Sequence, residues 1–157
     1  MPEFKPSADI FSLDANILVN PVNCRGVMGA GLARQFALRY PSILAPYERA
    51  CSTKQLVVGG VLMTTPDEDP TIRIANFATK DHWRFPSQIA WIERGVHNLV
   101  ATLDEPSSIA IPQLGCGLGG LQWMDVLKAI SPGVSTLESK GHTVCLIGPE
   151  PSAGLLY

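Results

Sequence analysis

Two glycine-rich segments carry the residues of this chain that best suit the binding of a polar ligand. The first covers residues 20–31 (NPVNCRGVMGAG) and the second covers residues 112–120 (PQLGCGLGG), and each follows an apolar run. Where such loops enter helices, they present backbone N–H groups to anions, most often phosphate. The glycines match neither the P-loop pattern GxxxxGK[ST] nor the dinucleotide-binding pattern GxGxxG. Either loop alone is equally consistent with tight turns, but the pair favours a diphosphate site.

The four cysteines show no pattern typical of a metal site or a disulfide scaffold. Cys24, Cys51, Cys116 and Cys145 form no CxxC pair. No histidine lies close in sequence to Cys24 or Cys116 to serve as the base that a catalytic cysteine needs. We therefore expect reduced, mostly buried thiols and no metal.

The composition indicates one globular domain without a broad surface for nucleic acid. The chain has 157 residues, of which 46% are hydrophobic and 17% are charged, and its formal net charge is −2. No run of Lys or Arg forms a basic footprint, so any nucleic acid is expected to bind locally at a pocket. No apolar stretch approaches the roughly 20 residues of a membrane span, and the N-terminus lacks the apolar core of a signal peptide. We expect a cytoplasmic protein with one domain over residues 1–157, in which 148–157 form a loop or flexible tail.

Apolar runs and periodic patterns alternate along the chain as in an α/β protein. Strands are predicted over 17–19, 61–64, 71–77, 108–111 and 143–147, and helices over 31–39, 43–51, 89–103 and 123–130. Ser42 is expected to cap the second helix and Ser87 the third, while Pro132 and Gly133 should interrupt the last. Because ligands in such sheets bind outside the carboxyl ends of strands, we expect both glycine-rich loops at one edge of the sheet.

Three segments together resemble the ADP-ribose-binding macrodomain family. NPVNCRGVMGAGLARQF resembles its first ligand loop and the following helix, and IPQLGCGLGGLQW resembles its second phosphate loop. The segment between them, ANFATKDHWRFPSQIAWIERGV, resembles one branch, the DNA ADP-ribosyl glycohydrolase antitoxins of the DarG type. The resemblance extends from Phe4 to Ile147. It implies an α/β three-layer sandwich, with a mixed central sheet and helices on both faces.

The resemblance also implies roles for individual residues. The implied catalytic residues are Lys80, which matches the family's catalytic lysine, and Asn23, which matches the loop asparagine that faces the distal ribose. Asp9 and Ile10 match the place where macrodomains take the adenine. The other implied ligand contacts are Val27, Met28, Gly29, Ala30, Gly31, Leu32, His82, Trp83, Leu114, Gly115, Cys116, Gly117, Leu118, Gly119 and Gly120. No cofactor is implied.

Lys80 would act on the bond between the distal ribose and the group that carries it. An amine works as a base or nucleophile only when it is deprotonated, so its pKa must fall through burial or a positive neighbour. Arg73, Arg84 and the N–H groups at the helix entry are candidates for that neighbour. Lys80 would then take a proton from a ribose hydroxyl or attack the opened sugar as a Schiff base.

The implied activity is removal of ADP-ribose from thymine bases of DNA, which would reverse a DNA ADP-ribosyltransferase toxin. The expected partners are ADP-ribose, ADP-ribosylated single-stranded DNA and a cognate toxin, with the protein itself a monomer that does not bind membranes. Two alternatives stay open: an ADP-ribose-binding module without turnover, and a hydrolase of ADP-ribose esters on Asp or Glu of proteins. Gly119 disfavours the ester reaction, because the branch that acts on modified glutamate carries an aspartate there.

Overall fold

A six-stranded sheet forms the centre of the protein in the computed structural model, which describes residues 1–152. The strands are β1 (Glu3–Phe4), β2 (Ile17–Val22), β3 (Val61–Thr64), β4 (Arg73–Ala78), β5 (Ser108–Ile111) and β6 (Thr143–Leu146). They lie in the order β1-β6-β5-β2-β4-β3. Every neighbouring pair is parallel except β3 with β4, so the predicted mixed sheet is confirmed.

Within residues 1–152, four α-helices cover the two faces of this sheet. They are α1 (Gly31–Arg39), α2 (Leu44–Ser52), α3 (Ile89–Thr102) and α4 (Trp123–Ser139). Successive residues of a strand point to opposite faces. Ile17 of β2 accordingly packs in the core with α3 and α4, and Leu18 packs in the core with α1 and α2. The predicted three-layer α/β arrangement is confirmed.

Three loops leave the same edge of the sheet, because the strands that precede them are parallel neighbours. The first loop (residues 23–30) follows β2, the Lys80 loop (79–88) follows β4, and the second loop (112–122) follows β5. Strand β2 lies between β5 and β4. The connection that leaves β2 leads through α1 and α2 to β3, on the β4 side of the sheet. The connection that leaves the neighbouring strand β5 leads through α4 to β6, on the opposite side. A crevice at such a divergence is the usual ligand site of open α/β sheets.

Helix α4 continues through Pro132 and Gly133, so its predicted end at residue 130 is wrong. A proline inside a helix costs about 3 kcal/mol. Burial of Ile130 and Val134 on one side of this helix opposes that loss, since each such side chain contributes about 1.5–3 kcal/mol. Gly133 has a packing role, because a Cβ there would overlap the side chain of Val96 in α3.

Neither serine that was predicted to cap a helix does so. The Ser42 hydroxyl donates to the carboxylate of Glu68 (2.6 Å), and α2 begins after a 3-10 turn over Pro41–Ile43. The residue that precedes α3 is Gln88, which makes no side-chain cap, and Ser87 is buried. A tertiary contact thus takes the Ser42 hydroxyl, whereas the Ser87 hydroxyl is buried without a hydrogen-bond partner among residues 1–152.

The ends of the described chain lie beside β6. Strand β1, which the sequence pattern did not predict, pairs with β6 in parallel. Residues 148–152 of the predicted tail contain no helix or strand, and residues 153–157 lie outside the part of the chain that the structure describes. No helix among residues 1–152 is long and apolar enough to cross a membrane.

Gly95→Ala tests how closely α3 packs on the sheet. Alanine is favoured over glycine in a helix by about 1 kcal/mol, but a Cβ at this position would overlap the buried ring of Phe77. We expect the free energy of unfolding, measured by urea denaturation, to fall by about 1–3 kcal/mol. His97→Ala, at an exposed position of the same helix, should change it by about 0.5 kcal/mol or less. A more stable Gly95→Ala protein would contradict the packing described.

Candidate ligand-binding site

A cavity of about 490 Å³ opens where the three loops meet. The residues that line it are Pro21, Val22, Asn23, Val27, Gly29, Ala30, Gly31, Leu32, Ala33, Thr79, Lys80, Trp83, Pro112, Gln113, Gly115, Gly117, Leu118 and Gly119. Among these described residues, Lys80 alone carries an ionisable side chain. The lining therefore offers one potential positive charge and no carboxylate, which favours an anionic ligand.

The side chain of Asn23 holds the first loop in shape. Its Nδ2 donates to the carbonyl of Val27 (2.7 Å), and its Oδ1 accepts from the backbone N–H of Arg25 (2.8 Å). The hydroxyl of Tyr47 in α2 lies 2.9 Å from the same Oδ1 and 2.7 Å from the Asn23 carbonyl. Burial raises the pKa of Tyr47, so this hydroxyl stays protonated and donates. One N–H of the Asn23 amide is left for a ligand in the cavity.

A pair of buried amides supports the first loop from the core with α1 and α2. The Asn20 Nδ2 donates to the Asn76 Oδ1 (3.1 Å) and lies 3.7 Å from the sulfur of Met28. The Asn76 Nδ2 in turn donates to the carbonyl of Leu62 (3.0 Å) and to the hydroxyl of Thr64 (3.0 Å). This network connects β2, β3 and β4 directly to the buried part of the first loop.

Helix α1 begins at the cavity without a side-chain cap. Its N-cap residue is Ala30, which has no acceptor on its side chain, so the first N–H groups of the helix need another acceptor. Gly31 has a φ of 58°, a left-handed conformation that glycine adopts without strain. The N-terminus of a helix carries a partial positive charge and binds phosphate readily. Since Ala30 and Gly31 both line the cavity, a phosphate placed there would meet these groups.

The second loop is tight, and it leaves no space for a side chain at position 119. The carbonyl of Gly115 accepts from the N–H of Leu121 (2.9 Å), and the carbonyl of Gly119 accepts from the N–H of Ser87 (2.9 Å). A Cβ at Gly119 would overlap the Gly115 carbonyl and would lie 2.6 Å from the Ser87 Oγ. Any larger residue at position 119 therefore requires this loop to move.

Lys80 lies in the lining of the cavity beside Trp83. Its Nζ donates to the carbonyl of Trp83 (3.3 Å). Burial lowers the pKa of Lys80, and neither Arg73 nor Arg84 contributes to that shift. Arg73 begins β4 and is about 20 Å of strand away, so its proposed role as a neighbour is wrong. A lowered pKa leaves more of the amine unprotonated than in a solvated lysine.

The Lys80 loop is attached to the loops on both sides of it. The guanidinium of Arg25 forms an ion pair with the carboxylate of Asp81 (3.0 Å), and the Cys24 N–H donates to the Asp81 carbonyl (3.1 Å). On the other side, the Ser87 N–H donates to the carbonyl of Gly119. The positions of Asn23, Lys80 and the second loop are therefore mechanically linked.

The cysteines are poorly suited to nucleophilic chemistry. Burial raises the pKa of Cys24 to about 12 and that of Cys116 to about 11, and it also raises the pKa of Cys51 and Cys145. Since the thiolate is the reactive form, these raised pKa values disfavour a role for the thiols as nucleophiles. Among residues 1–152, no group of three His, Cys, Asp or Glu side chains is placed to hold a metal ion.

The structure brings most of the predicted site residues to the cavity. Those in its lining are Asn23, Val27, Gly29, Ala30, Gly31, Leu32, Lys80, Trp83, Gly115, Gly117, Leu118 and Gly119. Those outside its lining are Asp9, Ile10, Met28, His82, Leu114, Cys116 and Gly120. Asp9 accepts from the N–H of Phe11 (3.0 Å) with its carboxylate, and Ile10, Met28 and Leu114 are buried. Their contact with a ligand stays a prediction.

The sequence analysis named no ligand contact at six lining residues, four of which lie inside the two glycine-rich segments that it assigned to the ligand. Pro21 and Val22 end β2, Thr79 follows β4, and Pro112 and Gln113 follow β5. Ala33, in the first turn of α1, completes the set. The signal that could have found them is their position, since the last residues of parallel strands face the same edge.

Comparison with known proteins places the chain among macrodomains. A family model described as Macro domain matches residues 19–130. The DNA ADP-ribosyl glycohydrolase of Mycobacterium tuberculosis (strain ATCC 25618 / H37Rv) is 40% identical over 151 residues, which cover 94% of this chain and 42% of that protein. This chain thus spans less than half the length of that curated relative. The solved macrodomain of Mycobacterium tuberculosis DarG has a TM-score of 0.85 and 35% identity, and the match covers 96% of this chain and 100% of that one.

A third relative comes from Thermosipho africanus (strain H17ap60334). It is named a DNA ADP-ribosyl transferase-DNA ADP-ribosyl glycohydrolase fusion protein and is 32% identical over 133 residues, covering 73% of this chain and 34% of that protein. The solved structure of Thermosipho africanus DarTG in complex with ADP-ribose matches with a TM-score of 0.80 and 29% identity, over 94% of this chain and 42% of that one.

Gly117→Val tests whether the second loop contacts a ligand. Gly117 lines the cavity, and a Cβ there would meet no protein atom within 4 Å. The added bulk should therefore occupy ligand space and leave the fold unchanged. We expect calorimetry to show at least about a tenfold loss of ADP-ribose affinity, with the free energy of unfolding within about 0.5 kcal/mol of wild type. Gly119→Ala should lower both the affinity for ADP-ribose and the free energy of unfolding, because a Cβ there would overlap protein atoms. Wild-type affinity in Gly117→Val would contradict the assignment of this loop.

Proposed function

We propose that this chain, which belongs to the Macro domain family, removes ADP-ribose from thymine bases in modified single-stranded DNA. The family membership rests on the model match over residues 19–130. The activity is supported by the printed name of the 40% identical relatives, DNA ADP-ribosyl glycohydrolase. Because this chain spans about 42% of the length of those relatives, the argument also depends on what its own cavity can do.

The observation that carries the proposal is the environment of Lys80. It is the one ionisable side chain among the described residues of the lining, and burial lowers its pKa. A binding module needs groups that accept a pyrophosphate, and the α1 N-terminus with the two glycine-rich loops suits that task. A binding module has no need of an amine whose pKa is lowered by burial. A reactive amine in a carboxylate-free cavity favours turnover over binding alone.

The proposed reaction breaks the bond between the anomeric carbon of the distal ribose and a thymine nitrogen. The loops hold the pyrophosphate and so fix the position of this ribose. The free N–H of the Asn23 amide orients a ribose hydroxyl without adding charge. In one route the unprotonated Lys80 amine takes the proton of a ribose hydroxyl, the bond from the anomeric carbon to the thymine nitrogen breaks, and the proton passes to the departing thymine. In the other route the amine adds to the anomeric carbon of the opened sugar and displaces thymine, which leaves with a proton, to give a Schiff base. Water completes the release of ADP-ribose in either route.

The proposal includes the partners of the protein. The Thermosipho relative joins a DNA ADP-ribosyl transferase to a glycohydrolase in one chain. We propose that this protein, as a monomer, acts against a transferase toxin of the same kind by removing the modification that the toxin installs. Its ligands would be ADP-ribose and the modified single-stranded DNA.

Lys80→Ala should separate binding from catalysis. Affinity for ADP-ribose is assigned to the loops and the start of α1, so we expect it to stay within a few-fold of wild type, while turnover of ADP-ribosylated DNA falls by about 10²–10⁴. Lys80→Arg should be similarly inactive, since a guanidinium stays protonated. Asn23→Ala should differ by lowering affinity as well as rate, because it removes the contacts to Val27 and Arg25. The measurements are a dissociation constant and a single-turnover rate for each variant.

Near wild-type turnover by Lys80→Ala would contradict the proposed role of the amine. Two further outcomes, which require wild-type turnover to be measured on modified DNA and on modified glutamate, would favour the alternatives. Tight ADP-ribose binding with no turnover of modified DNA or modified glutamate by the wild-type protein would favour a binding module. Faster release from glutamate than from thymine would favour the ester hydrolase.

The pH dependence of turnover should report the state of Lys80. Since the reactive form is the unprotonated amine, kcat/KM should rise about tenfold per pH unit and level off at the pKa of Lys80 in the free protein. That pKa is lowered by burial, so the plateau should begin below about 10.4, the value of a solvated lysine. Single-turnover rates at subsaturating substrate, taken across this range, provide the test. A rate that falls with rising pH would show that a protonated group does the work.

A further inference from the structure

Three aromatic side chains of the Lys80 loop lie together beside the cavity. They are His82, Trp83 and Phe85, and we call them the aromatic ridge. Trp83 lines the cavity and is 50% exposed, and Phe85 lies outside the lining and is 63% exposed. The rings of His82 and Trp83 stack with centroids 4.0 Å apart, and those of His82 and Phe85 are 5.5 Å apart. Single exposed apolar residues need no explanation, but a contiguous group beside a ligand cavity marks an interaction surface.

The backbone of the loop holds the ridge in place before any ligand binds. The Phe85 N–H donates to the carbonyl of His82 (3.2 Å), and the Arg84 N–H donates to the Nδ1 of the same histidine (3.1 Å). The Trp83 carbonyl accepts from Lys80. The ridge is therefore attached to Lys80, to which the proposed bond cleavage is assigned, and we expect the group that carries the ADP-ribose to lie next to it.

The charges around the ridge favour an anionic polymer over an acidic or neutral peptide. Arg84 projects from the same turn and is exposed, and no acidic side chain within residues 1–152 forms a salt bridge with it. The nearby carboxylate of Asp81 is already paired with Arg25. Aromatic faces beside guanidinium groups form the usual surface for single-stranded nucleic acid, in which bases stack on rings and phosphates meet the cations.

We propose that the aromatic ridge stacks the unpaired bases that flank the base carrying ADP-ribose. The occupant is single-stranded DNA, and this inference rests on the proposed function of the cavity. The ridge would hold the strand beside the cavity and favour modified oligonucleotides over the same linkage on a single nucleoside. Double-stranded DNA would be excluded, because paired bases do not offer their faces to the rings.

Phe85→Ala is the variant that isolates the ridge, because this side chain does not line the cavity. Turnover is measured on an ADP-ribosylated thymidine oligonucleotide and on ADP-ribosylated thymidine alone. We expect wild type to have the lower KM for the oligonucleotide, and Phe85→Ala to raise that KM about 5- to 100-fold with kcat little changed. Free ADP-ribose affinity should stay at the wild-type value. Phe85→Tyr should restore the low KM and Phe85→Leu should not, since leucine keeps apolar bulk without a face for stacking.

Leu38→Ala is the matched control, because Leu38 is 69% exposed and lies outside the lining of the cavity. Equal KM values for oligonucleotide and nucleoside, unchanged in Phe85→Ala, would overturn the proposed stacking role of the ridge and leave the proposed activity standing.

If wild type releases ADP-ribose from neither substrate, the proposed activity fails. The ridge is then judged by the affinity of the ADP-ribose-saturated protein for an unmodified single-stranded oligonucleotide. A lower affinity for this oligonucleotide in Phe85→Ala would support the stacking role of the ridge, and an unchanged affinity would overturn it. If Phe85→Ala raised the KM for an ADP-ribosylated peptide more than the KM for the oligonucleotide, the ridge would bind a protein substrate instead of DNA.

Discussion

The cavity depends on the parallel register of β2 with β4 and β5. Ile17 pairs with Arg73 on one side and with Ile109 on the other, and at the far end Val22 pairs with Ala78. Asn23 and Lys80 follow those last paired residues by one and two positions. The register therefore delivers the amide and the amine to the same edge before any loop contact forms. A slip of one residue would turn every side chain of a strand to the other face, and it would separate these two groups.

The buried amides of Asn20 and Asn76 oppose such a slip. They are register partners on β2 and β4, and they hydrogen-bond to each other within an otherwise apolar core. A shifted pairing would break this bond, and a buried amide group that loses its partner costs about 1–3 kcal/mol. The Asn20 Oδ1 is already without a partner among the described residues. The same Asn20 amide lies against the sulfur of Met28, so the pair also places the first loop above it. We infer that this polar pair contributes specificity of register more than net stability.

The sequence was a good guide to the parts of the fold that local patterns determine. Strands 61–64 and 108–111 and the helix over 31–39 have the predicted bounds, because apolar runs between turn residues decide them. The convergence of the glycine-rich loops also followed from strand order. What could not be read from the sequence depends on partners distant along the chain. Gly133 looks like a helix breaker until the side chain of Val96 is placed against it. Ser87 looks like a cap until the second loop is placed over it.

Ser87 connects this steric constraint to the chemistry of the site. Its Oγ and the Gly115 carbonyl fill the space that a Cβ at position 119 would need, so the loop conformation itself keeps an acidic side chain out of that part of the lining. A carboxylate near Lys80 would favour the ammonium form and raise the pKa of Lys80. It would also repel a bound pyrophosphate. Exclusion of the carboxylate leaves burial as the influence that acts on the pKa of the amine, and it leaves backbone N–H groups to meet the phosphates. In the proposed mechanism, the absence of a side chain at Gly119 therefore helps to keep Lys80 available as a base or nucleophile.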